Sequence, residues 1–540
     1  MEKIHGGQLL AKALKAEGVD TLFTLTGGHI VPILDGCVIE GIRIVDVRHE
    51  QTAAHAAEAY TRLTGKLGVV AVTAGPGVTN TLTAVMNAHY SSTPMLVLGG
   101  RHPIRQEHTG GLQEMDHPRL FGSVTKLADT VWETIRIADY VSIAARHAFS
   151  GRGGPVFLDI PLDVQAATVA AATTLPKHYR ANTGSGATRS DVDEIVSLVA
   201  DAEHPVLFAG NGFRCDAAKA LVGFAETANI PTYVNSGARG AFPYGHPLLG
   251  NRTRSMAFTG ADLVIALGVD WDFRTGFGGK INPDATVVQV DAEPTRIGWN
   301  RAAHRGIVAD PGIVVYQLLG HPEIAHAERE WSAELQSAEA ERLEAANAEA
   351  DAPSELVSPQ FFGRTVGEFF GTDSIVSVDG GDIVATTAKW LRISTAGHVL
   401  EAGPAGTLGT GPGFALAAKS IFPDKRVGIV FGDGGFGFNG MEYDTFVRLG
   451  LPIIGVVGND GVWNNIKTFH KMFYPERLVA SDLGRRPYHS LVEALGGYGE
   501  LVTEPAALMP ALQRAADSGL PALVNVHIDE TFRASSNYSA

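Results

Sequence analysis

The sequence predicts an α/β fold of three consecutive domains, each with a mostly parallel sheet flanked by helices. Short apolar stretches of strand length alternate with helical patterns along the chain, an alternation typical of parallel sheets. The chain has 540 residues. Because a single hydrophobic core stops growing near ~250–300 residues, we expect two or three domains.

The composition excludes several classes of partner. Hydrophobic residues make up 45% of the chain, and the net charge of −15 disfavours nucleic acid, because phosphate contacts need clustered Lys and Arg. The two cysteines, Cys37 and Cys215, fit a reducing compartment. We find no signal peptide and no run of ~18 apolar residues without charge. We therefore expect a cytoplasmic protein with no membrane partner.

The predicted first domain covers residues 1–175. Its strands are expected at 21–25, 42–47, 69–74 and 95–99, and helices at 50–64 and 80–91. The stretch 171–190 contains the breakers Pro176, Gly184 and Gly186 and is interpreted as a linker.

The second and third domains are predicted at 188–325 and 355–540. We expect strands at 205–209, 232–235, 263–268 and 287–291 in the second, and at 374–378, 427–431, 453–458 and 522–528 in the third. The Ala- and Glu-rich segment 328–350 between the two domains is interpreted as a solvated surface helix that acts as a tether.

The strongest motif is a pair of segments that each follow an apolar strand, Gly432-Asp433-Gly434 and Asn459-Asp460-Gly461. The Asp433 carboxylate, the Asn459 amide oxygen and a backbone carbonyl near Gly461 are hard oxygen ligands of the kind that Mg²⁺ prefers beside substrate phosphates. The glycines, including Gly435, let backbone N–H groups approach a diphosphate. The first segment is expected to open a helix at 440–448.

The same glycines also fit another motif. Residues 432–437 match G-x-G-x-x-G, the dinucleotide fingerprint, and Asp460 lies near the position of a ribose-binding acid. On this motif alone, a dinucleotide and a metal-bound diphosphate both stay open, and a glycine-rich turn without a ligand is a third interpretation.

Two segments of the first domain favour the diphosphate. Val47-Arg48-His49-Glu50 ends the second predicted strand, and Gly75-Pro76-Gly77-Val78-Thr79-Asn80 forms a turn after the third. Together with the Asp433 motif, they resemble the thiamine diphosphate (ThDP)-dependent decarboxylases and lyases over essentially the whole length. The resemblance implies that Glu50 contacts the pyrimidine ring of the cofactor. It further implies that Mg²⁺ and the diphosphate are held by the motif, and that the remaining cofactor contacts lie at Gly75, Asn80, Gly381, Asp382 and Leu408.

Several segments resemble one branch, the 2-hydroxyacyl-CoA lyases: 23–30, 379–382, 406–413, 438–447 and 457–463. The N-terminal third is also similar to benzaldehyde lyase, sharing Gly28-His29 and Gln113. The resemblance implies reversible cleavage of a 2-hydroxyacyl-CoA to formyl-CoA and a ketone or aldehyde. A CoA-independent carboligase or lyase of acetolactate synthase or benzaldehyde lyase type is the first alternative. A non-catalytic ThDP or nucleotide sensor is the second.

The resemblance also implies roles for individual side chains. His29, Gln113 and Glu493 are candidates for handling protons and the reacting carbonyl, and Leu127 and Val492 for limiting the acyl group to a short or branched one. For His29 the competing interpretation is a loop histidine with ordinary hydrogen bonds, and for Glu493 it is a solvated helix glutamate.

Nucleotide contacts are the last expectation. Positions comparable to Arg274 and Asp291 bind the phosphate and ribose of ADP or FAD in the wider family, so we expect ADP or no nucleotide. Arg252, Arg254 and Arg533 are weak candidates for CoA phosphates and are interpreted as scattered surface arginines. The family further implies an active site shared between subunits, in a dimer at least and a tetramer by preference.

Overall fold

The computed structural model describes residues 2–181, 183–213, 215–325 and 327–530. Within them the chain forms three domains, each with one parallel sheet flanked by helices, so the predicted fold class is confirmed. Of the helices described, none is both long and apolar enough to span a bilayer.

The N-terminal domain has a six-stranded sheet in the order β3-β2-β4-β5-β7-β6, and β1 pairs antiparallel with β8 beside it. Its strands are β1 (Lys3–His5), β2 (Thr21–Leu25), β3 (Arg43–Asp46), β4 (Gly68–Val72), β5 (Met95–Arg101), β6 (Ala128–Thr130), β7 (Pro155–Pro161) and β8 (Thr168–Ala170). Its helices are α1 (Gly6–Ala16), α2 (Val31–Glu40), α3 (Glu50–Thr64), α4 (Pro76–Asn80), α5 (Leu82–Tyr90), α6 (His117–Phe121), α7 (Ile137–Phe149) and α8 (Leu162–Ala166).

The central domain has a five-stranded sheet in the order β10-β9-β11-β12-β13. Its strands are β9 (Pro205–Ala209), β10 (Thr232–Val234), β11 (Leu263–Leu267), β12 (Thr286–Asp291) and β13 (Arg305–Val308). Its helices are α9 (Arg189–Asp201), α10 (Cys215–Ala228), α11 (Arg254–Gly260) and α12 (Pro311–Leu319), and α13 (Glu330–Ala350) follows.

The C-terminal domain has a six-stranded sheet in the order β15-β14-β16-β17-β19-β18. Its strands are β14 (Ile375–Asp379), β15 (Val399–Glu401), β16 (Val427–Gly432), β17 (Ile453–Asn459), β18 (Tyr498–Val502) and β19 (Ala522–His527). Its helices are α14 (Pro359–Phe370), α15 (Asp382–Ala388), α16 (Thr410–Ile421), α17 (Asp433–Asn439), α18 (Glu442–Arg448), α19 (Asn464–Phe473), α20 (Tyr488–Ala494) and α21 (Pro505–Asp517).

The N- and C-terminal sheets have the same topology. If the strands of each six-stranded sheet are numbered along the chain, both sheets read 2-1-3-4-6-5. Helices α3 and α16 bring the two domains together. His55 packs edge-to-face on Phe414 with ring centroids 5.6 Å apart, and a Cβ added at Gly413 would lie 2.7 Å from the Thr52 carbonyl oxygen. Only glycine therefore permits this close approach of the two helices.

Three predicted elements need correction. The helix expected at 440–448 is preceded by α17, which begins at Asp433, and the helix expected at 80–91 is divided at Thr81 into α4 and α5. Helix α13 is not simply a solvated tether, because Trp331 is 5% exposed and packs in the core of the central domain. The period of apolar residues could not show these contacts, since α13 buries only three residues near its start and Ala350 at its end.

Candidate active site

The carboxyl ends of β14, β16 and β17 meet at one edge of the C-terminal sheet and form an open cleft. Parallel α/β sheets bind ligands at this edge. The cleft encloses about 620 Å³ including its mouth. It is lined by the predicted diphosphate-binding residues and their neighbours, Gly381, Asp382, Gly432, Asp433, Gly434, Gly435, Asp460 and Trp463.

Four aspartates line this cleft, Asp382, Asp433, Asp460 and Asp529, and three of them have raised pKa values. Burial raises the pKa of Asp433 to about 6. Burial, followed by the negative charges of Asp433, Asp382 and Glu530, raises the pKa of Asp460 to about 7. Burial also raises the pKa of Asp382. Uncompensated carboxylates at a buried edge favour a cation, so the charge of this cleft fits a divalent metal.

Asn459 offers a free ligand atom beside these carboxylates. The residue is fully buried, and its Nδ2 donates to the Arg486 carbonyl at 3.1 Å and to Asn525 Oδ1 at 3.0 Å. These two bonds fix the orientation of the amide. The Oδ1 atom has no hydrogen-bond partner among the described residues. A buried oxygen without a partner costs free energy, and a hard cation would satisfy it.

Gly461 does not provide the third ligand that was predicted. Its N–H donates to Asp433 Oδ2 at 2.9 Å. Its carbonyl oxygen accepts from the N–H groups of Leu483 at 2.7 Å and Gly484 at 2.8 Å. Both lone pairs of this oxygen are thereby used. Asp433 and Asp460 line the cleft, whereas Asn459 is buried behind them at the end of β17.

Two glycines of α17 are required by close packing. A Cβ at Gly434 would lie 2.2 Å from the Trp463 ring, and one at Gly435 would lie 2.7 Å from the Asp379 carbonyl oxygen. Gly437 of the same helix has open space around the corresponding position. The first two glycines thus let the helix start lie against β14, at the floor of the cleft.

Glu50 lies at the start of α3 and faces the turn at residues 75–80. It is 8% exposed, its Oε2 accepts from Asn80 Nδ2 at 3.0 Å, and a Cβ at Gly77 would lie 3.6 Å from its Oε1. The carboxylate is thus oriented by residues of two predicted motifs. Glu442 of the C-terminal domain accepts the N–H groups of Arg48 and His49 just before it.

His29 and Gln113 lie at the same edge of the N-terminal sheet. His29 Nδ1 is 3.1 Å from Thr73 Oγ1. Burial, with smaller effects of His102 and His117, lowers the pKa of His29, which favours the neutral imidazole. Gln113 has a φ of +60° and packs on Gly75, whose Cβ position is 2.8 Å from Gln113 Cβ. The N-terminal candidates therefore form one group.

Leu408 lies in a loop held from two sides. The next residue, Gly409, donates its N–H to Asp379 Oδ1 at 3.0 Å and accepts from Asn439 Nδ2 at 2.8 Å. Gln51 of α3 lies 3.5 Å from the Leu408 carbonyl oxygen. The backbone at Leu408 is therefore fixed by contacts with β14, α17 and α3.

The two halves of the predicted site remain apart within one chain. Every described residue that lines the diphosphate cleft belongs to the C-terminal domain or the segment just before it. Glu50 and its group line no part of it. The single chain therefore presents two incomplete halves.

Three predicted residues lie away from the cleft. Glu493 is exposed on α20 and packs against Gly499 of the edge strand, where an added Cβ would be 2.6 Å from Glu493 Cγ. Val492 has no exposed surface and packs in the core. Leu127 precedes β6 at the amino edge of its sheet, opposite the candidate site. Their proposed contacts with substrate are not made within one chain.

The two residues predicted to bind ADP line different cavities. Asp291 is 1% exposed and already receives Arg152 Nε at 3.0 Å and Nη2 at 2.7 Å. It borders an interdomain cavity that also contains Asp310 and Glu401. Arg274 borders another cavity. The structure does not assemble the predicted nucleotide site.

The cavity that contains Arg274 is strongly cationic. It lies between the central and C-terminal domains, encloses about 2330 Å³ including open solvent, and adjoins the diphosphate cleft through Gly380, Gly381 and Asp382. Its cationic lining residues are Arg239, Arg252, Arg254, Arg274, Lys280 and Lys389. The interpretation of the arginines as scattered is therefore wrong for two of them, because domain packing brings them together. Arg533 lies outside the described residues.

Buried positive charges mark this cavity as a place for an anion. Burial and then the charges of Arg239 and Arg274 lower the pKa of Arg254. Burial and then Arg252 and Arg254 lower the pKa of Lys389. In the described part of the chain, no carboxylate lies within salt-bridge distance of Arg252, Arg254 or Lys389.

Sequence reasoning missed the residues that hold these groups in place, Asp379, Glu442 and His117. Asp379 and Glu442 are buried carboxylates that accept backbone N–H groups. His117 accepts the Gly75 N–H. Asp379 and Glu442 lie inside the segments 379–382 and 438–447 and could have been noticed there; His117 has no local signal, because its partners are distant in sequence.

Comparison with known proteins identifies related chains. Residues 4–120, 192–318 and 379–526 match the N-terminal, central and C-terminal domains of thiamine pyrophosphate enzymes, the first and last described as TPP binding domains. The acetolactate synthase large subunit IlvG of Mycobacterium tuberculosis is 38% identical over 98% of this chain and 96% of that protein. The 2-hydroxyacyl-CoA lyase 2 of Caenorhabditis elegans is 35% identical over 98% and 90%. The human 2-hydroxyacyl-CoA lyase 2 is 33% identical over 98% and 90%.

Proposed function

The chain belongs to the thiamine pyrophosphate enzymes, and from that premise we propose that it is a Mg²⁺-dependent 2-hydroxyacyl-CoA lyase. Its substrate would be a short or branched 2-hydroxyacyl-CoA such as 2-hydroxyisobutyryl-CoA, cleaved reversibly to formyl-CoA and a ketone or aldehyde. The dinucleotide interpretation of residues 432–437 is wrong, since they lie within the matched C-terminal thiamine domain.

The residues of the cleft fit the cofactor and its metal. Asp433, which lines the cleft, and the unpartnered Asn459 Oδ1 would hold Mg²⁺, and Asp460 is a further carboxylate of the lining. The backbone N–H groups of the α17 glycines would bind the diphosphate. When bound, thiamine diphosphate supplies the electron sink for cleaving a bond next to a carbonyl. The protein's own task is to orient it and to move protons.

The N-terminal group would perform that task. Glu50, oriented by Asn80, hydrogen-bonds the pyrimidine ring. His29, favoured as neutral imidazole, can accept the proton of the substrate 2-hydroxyl and return it. Gln113 donates to the substrate carbonyl. Glu493 is a second proton carrier in the proposal, and Leu127 limits acyl size; both require contacts beyond the single chain. Val492 is not kept in this role, because its side chain is fully buried in the core.

A second copy of the chain would complete the site. The diphosphate cleft has no lining residue from the N-terminal domain within the described chain, while Glu50 lies in a group of its own. A homodimer is therefore the smallest active unit proposed, with a tetramer as the expected assembly.

The cationic cavity is the single observation that supports the proposal of a CoA-bound substrate. Six lining side chains are cationic, against Asp382 and Glu401, and the cavity adjoins the diphosphate cleft. CoA carries a nucleotide with three phosphates on a flexible arm, whereas pyruvate and benzoin lack any such group. Guanidinium groups bind phosphate in bidentate fashion. Because ADP is also a polyphosphate, this cavity is the place where we propose to look for it, in preference to Asp291.

The CoA-independent carboligase remains the second candidate. The 38% identity to a protein named acetolactate synthase favours it. A third candidate, a non-catalytic sensor, is disfavoured because Glu50, Asp433 and Asn459 are all present.

Comparison of a CoA thioester with its pantetheine counterpart tests the proposal. We expect Arg252→Gln and Arg254→Gln to lower kcat/KM for 2-hydroxyisobutyryl-CoA by about tenfold or more, since hydrogen bonds to charged groups contribute about 1.5–3 kcal/mol. The pantetheine thioester, which lacks the nucleotide, should be unaffected. Arg189→Gln is the matched control, because that side chain is 93% exposed. Equal losses on both thioesters would contradict the assignment of this cavity to CoA.

A further inference from the structure

A row of buried polar side chains runs behind the turn at residues 75–80. The N–H of Gly75 donates to His117 Nε2 at 2.9 Å. His117 Nδ1 lies 3.0 Å from Asp159 Oδ1, and Arg101 Nη1 donates to Asp159 Oδ2 at 2.7 Å. His117 and Asp159 have no exposed surface, and Arg101 is 5% exposed. Water therefore cannot replace any member of this row.

The row fixes one tautomer of His117. A backbone N–H can only donate, so Nε2 must present its lone pair to Gly75. The ring proton is then on Nδ1, where it is donated to Asp159. Arg101 compensates the charge of Asp159 and is itself held by Glu107, with oxygens at 2.6 and 2.7 Å.

Gly75 is the residue on which the N-terminal candidates depend. Its φ of +58° and ψ of −113° lie outside the regions that other residues occupy. It precedes α4, whose last residue, Asn80, donates to Glu50. Its α-carbon also packs on Gln113. A shift of Gly75 would move both the partner of Glu50 and the support of Gln113.

We propose that His117 is a positioning residue, whose Nε2 lone pair, oriented by Asp159 and Arg101, fixes the Gly75 turn and thereby the Glu50–Asn80 pair and Gln113. His117 touches neither cofactor nor substrate in this proposal. The inference rests on the role proposed above for Glu50, but the hydrogen-bond row itself can be tested without cofactor.

Two substitutions separate the two ring nitrogens. His117→Gln places an amide oxygen near the position of Nε2 and keeps an acceptor for Gly75. His117→Asn places an amide N–H near Nδ1, keeps the donor to Asp159 and removes the acceptor. Hydrogen–deuterium exchange at Gly75 is measured in the thiamine-free protein, and the Kd for thiamine diphosphate is measured with Mg²⁺ by tryptophan fluorescence.

We expect His117→Asn to accelerate exchange at Gly75 about 10- to 100-fold, as for a buried N–H that loses its acceptor, and to raise the Kd about tenfold. His117→Gln should stay within about threefold of the wild type in both measurements, because the acceptor is restored. Equal behaviour of the two variants would overturn the proposal, since His117 would then only fill space.

Asp159→Asn keeps the inference falsifiable if His117→Asn fails to fold. The new amide can donate to His117 Nδ1, which moves the ring proton to Nε2 and sets two donors against each other at Gly75. We expect the same acceleration of exchange there, and unchanged exchange would overturn the proposal. Glu50→Gln tests the proposed function separately: if turnover survives that change, the assigned role of Glu50 fails while the exchange result stands.

Discussion

Glu442 provides the sharpest test of how the C-terminal domain holds the start of α3. This side chain is 1% exposed. Its Oε1 accepts from His49 N–H at 3.0 Å and Arg48 N–H at 3.1 Å, and Thr445 Oγ1 donates to Oε2 at 2.6 Å. A carboxylate at a helix N-terminus is also favoured by the helix dipole. Glu442→Ala removes these interactions and leaves two backbone donors without an acceptor.

The expected effect of Glu442→Ala is local. Water can reach the N–H of Arg48 in part, so we expect a loss of about 2–3 kcal/mol in the free energy of local opening, from a cost of about 1–3 kcal/mol for each unsatisfied donor. At 1.4 kcal/mol per tenfold, amide exchange at Arg48 and His49 becomes about 30- to 150-fold faster. Glu442→Gln keeps one acceptor oxygen and should accelerate exchange less.

Amide hydrogen exchange followed by mass spectrometry measures this effect. Glu344→Gln, an exposed change on α13, is the matched control and should alter exchange at neither residue. If Glu442→Ala exchanges at Arg48 and His49 as slowly as this control, the reasoning that Glu442 fixes the approach to Glu50 is refuted.

Three further predictions concern the cleft and the turn. Burial raises the pKa of Asp433 to about 6 and of Asp460 to about 7. Their contribution to the stability of the metal-free chain is therefore fully present below the ordinary Asp pKa of about 4 and is lost as the pH rises from there through 6–7. We expect the melting temperature of the metal-free chain to fall over that range and Mg²⁺ to restore it. The affinity for Mg²⁺, measured by calorimetry, should fall about tenfold per pH unit below pH 6. Flat affinity between pH 5 and 7.5 would count against Asp433 as a ligand. In Gly435→Ala the methyl would lie 2.7 Å from the Asp379 carbonyl oxygen. Overpacking typically costs about 1–3 kcal/mol, so we expect thiamine diphosphate to bind about 5- to 150-fold more weakly. Gly437→Ala should not weaken binding, and equal Kd values for the two variants would disprove the packing argument. Asn80→Asp sets a carboxylate against Glu50 and should lower turnover more than Asn80→Ser, which keeps a donor; the reverse order would exclude the Asn80 contact as a support of Glu50.

The sequence predicted features that depend on residues close together along the chain. The α/β alternation gave the three-domain fold, and the start of α3 at Glu50 was predicted correctly because a polar residue there follows a buried strand. Residues at the carboxyl ends of adjacent parallel strands must meet, which is why Asp433 and Asn459 lie together.

Features that depend on domain packing were not predictable. Arg252 and Arg254 belong to no recognisable sequence motif. They line one cavity with Lys389 only because the central domain packs against the C-terminal domain. Gly461 failed as a metal ligand because residues 483 and 484 return to its carbonyl oxygen. Such a contact, more than 20 residues away and without a pattern, carries no signal in a single sequence.

The most direct test of the central claim is a competition assay. The protein, loaded with thiamine diphosphate and Mg²⁺, is given equal concentrations of 2-hydroxyisobutyryl-CoA and pyruvate, and the products are identified by mass spectrometry, with Glu50→Gln in parallel. We predict formyl-CoA and acetone, and neither product from Glu50→Gln. Acetolactate without formyl-CoA would contradict the lyase assignment and identify the chain as a CoA-independent carboligase.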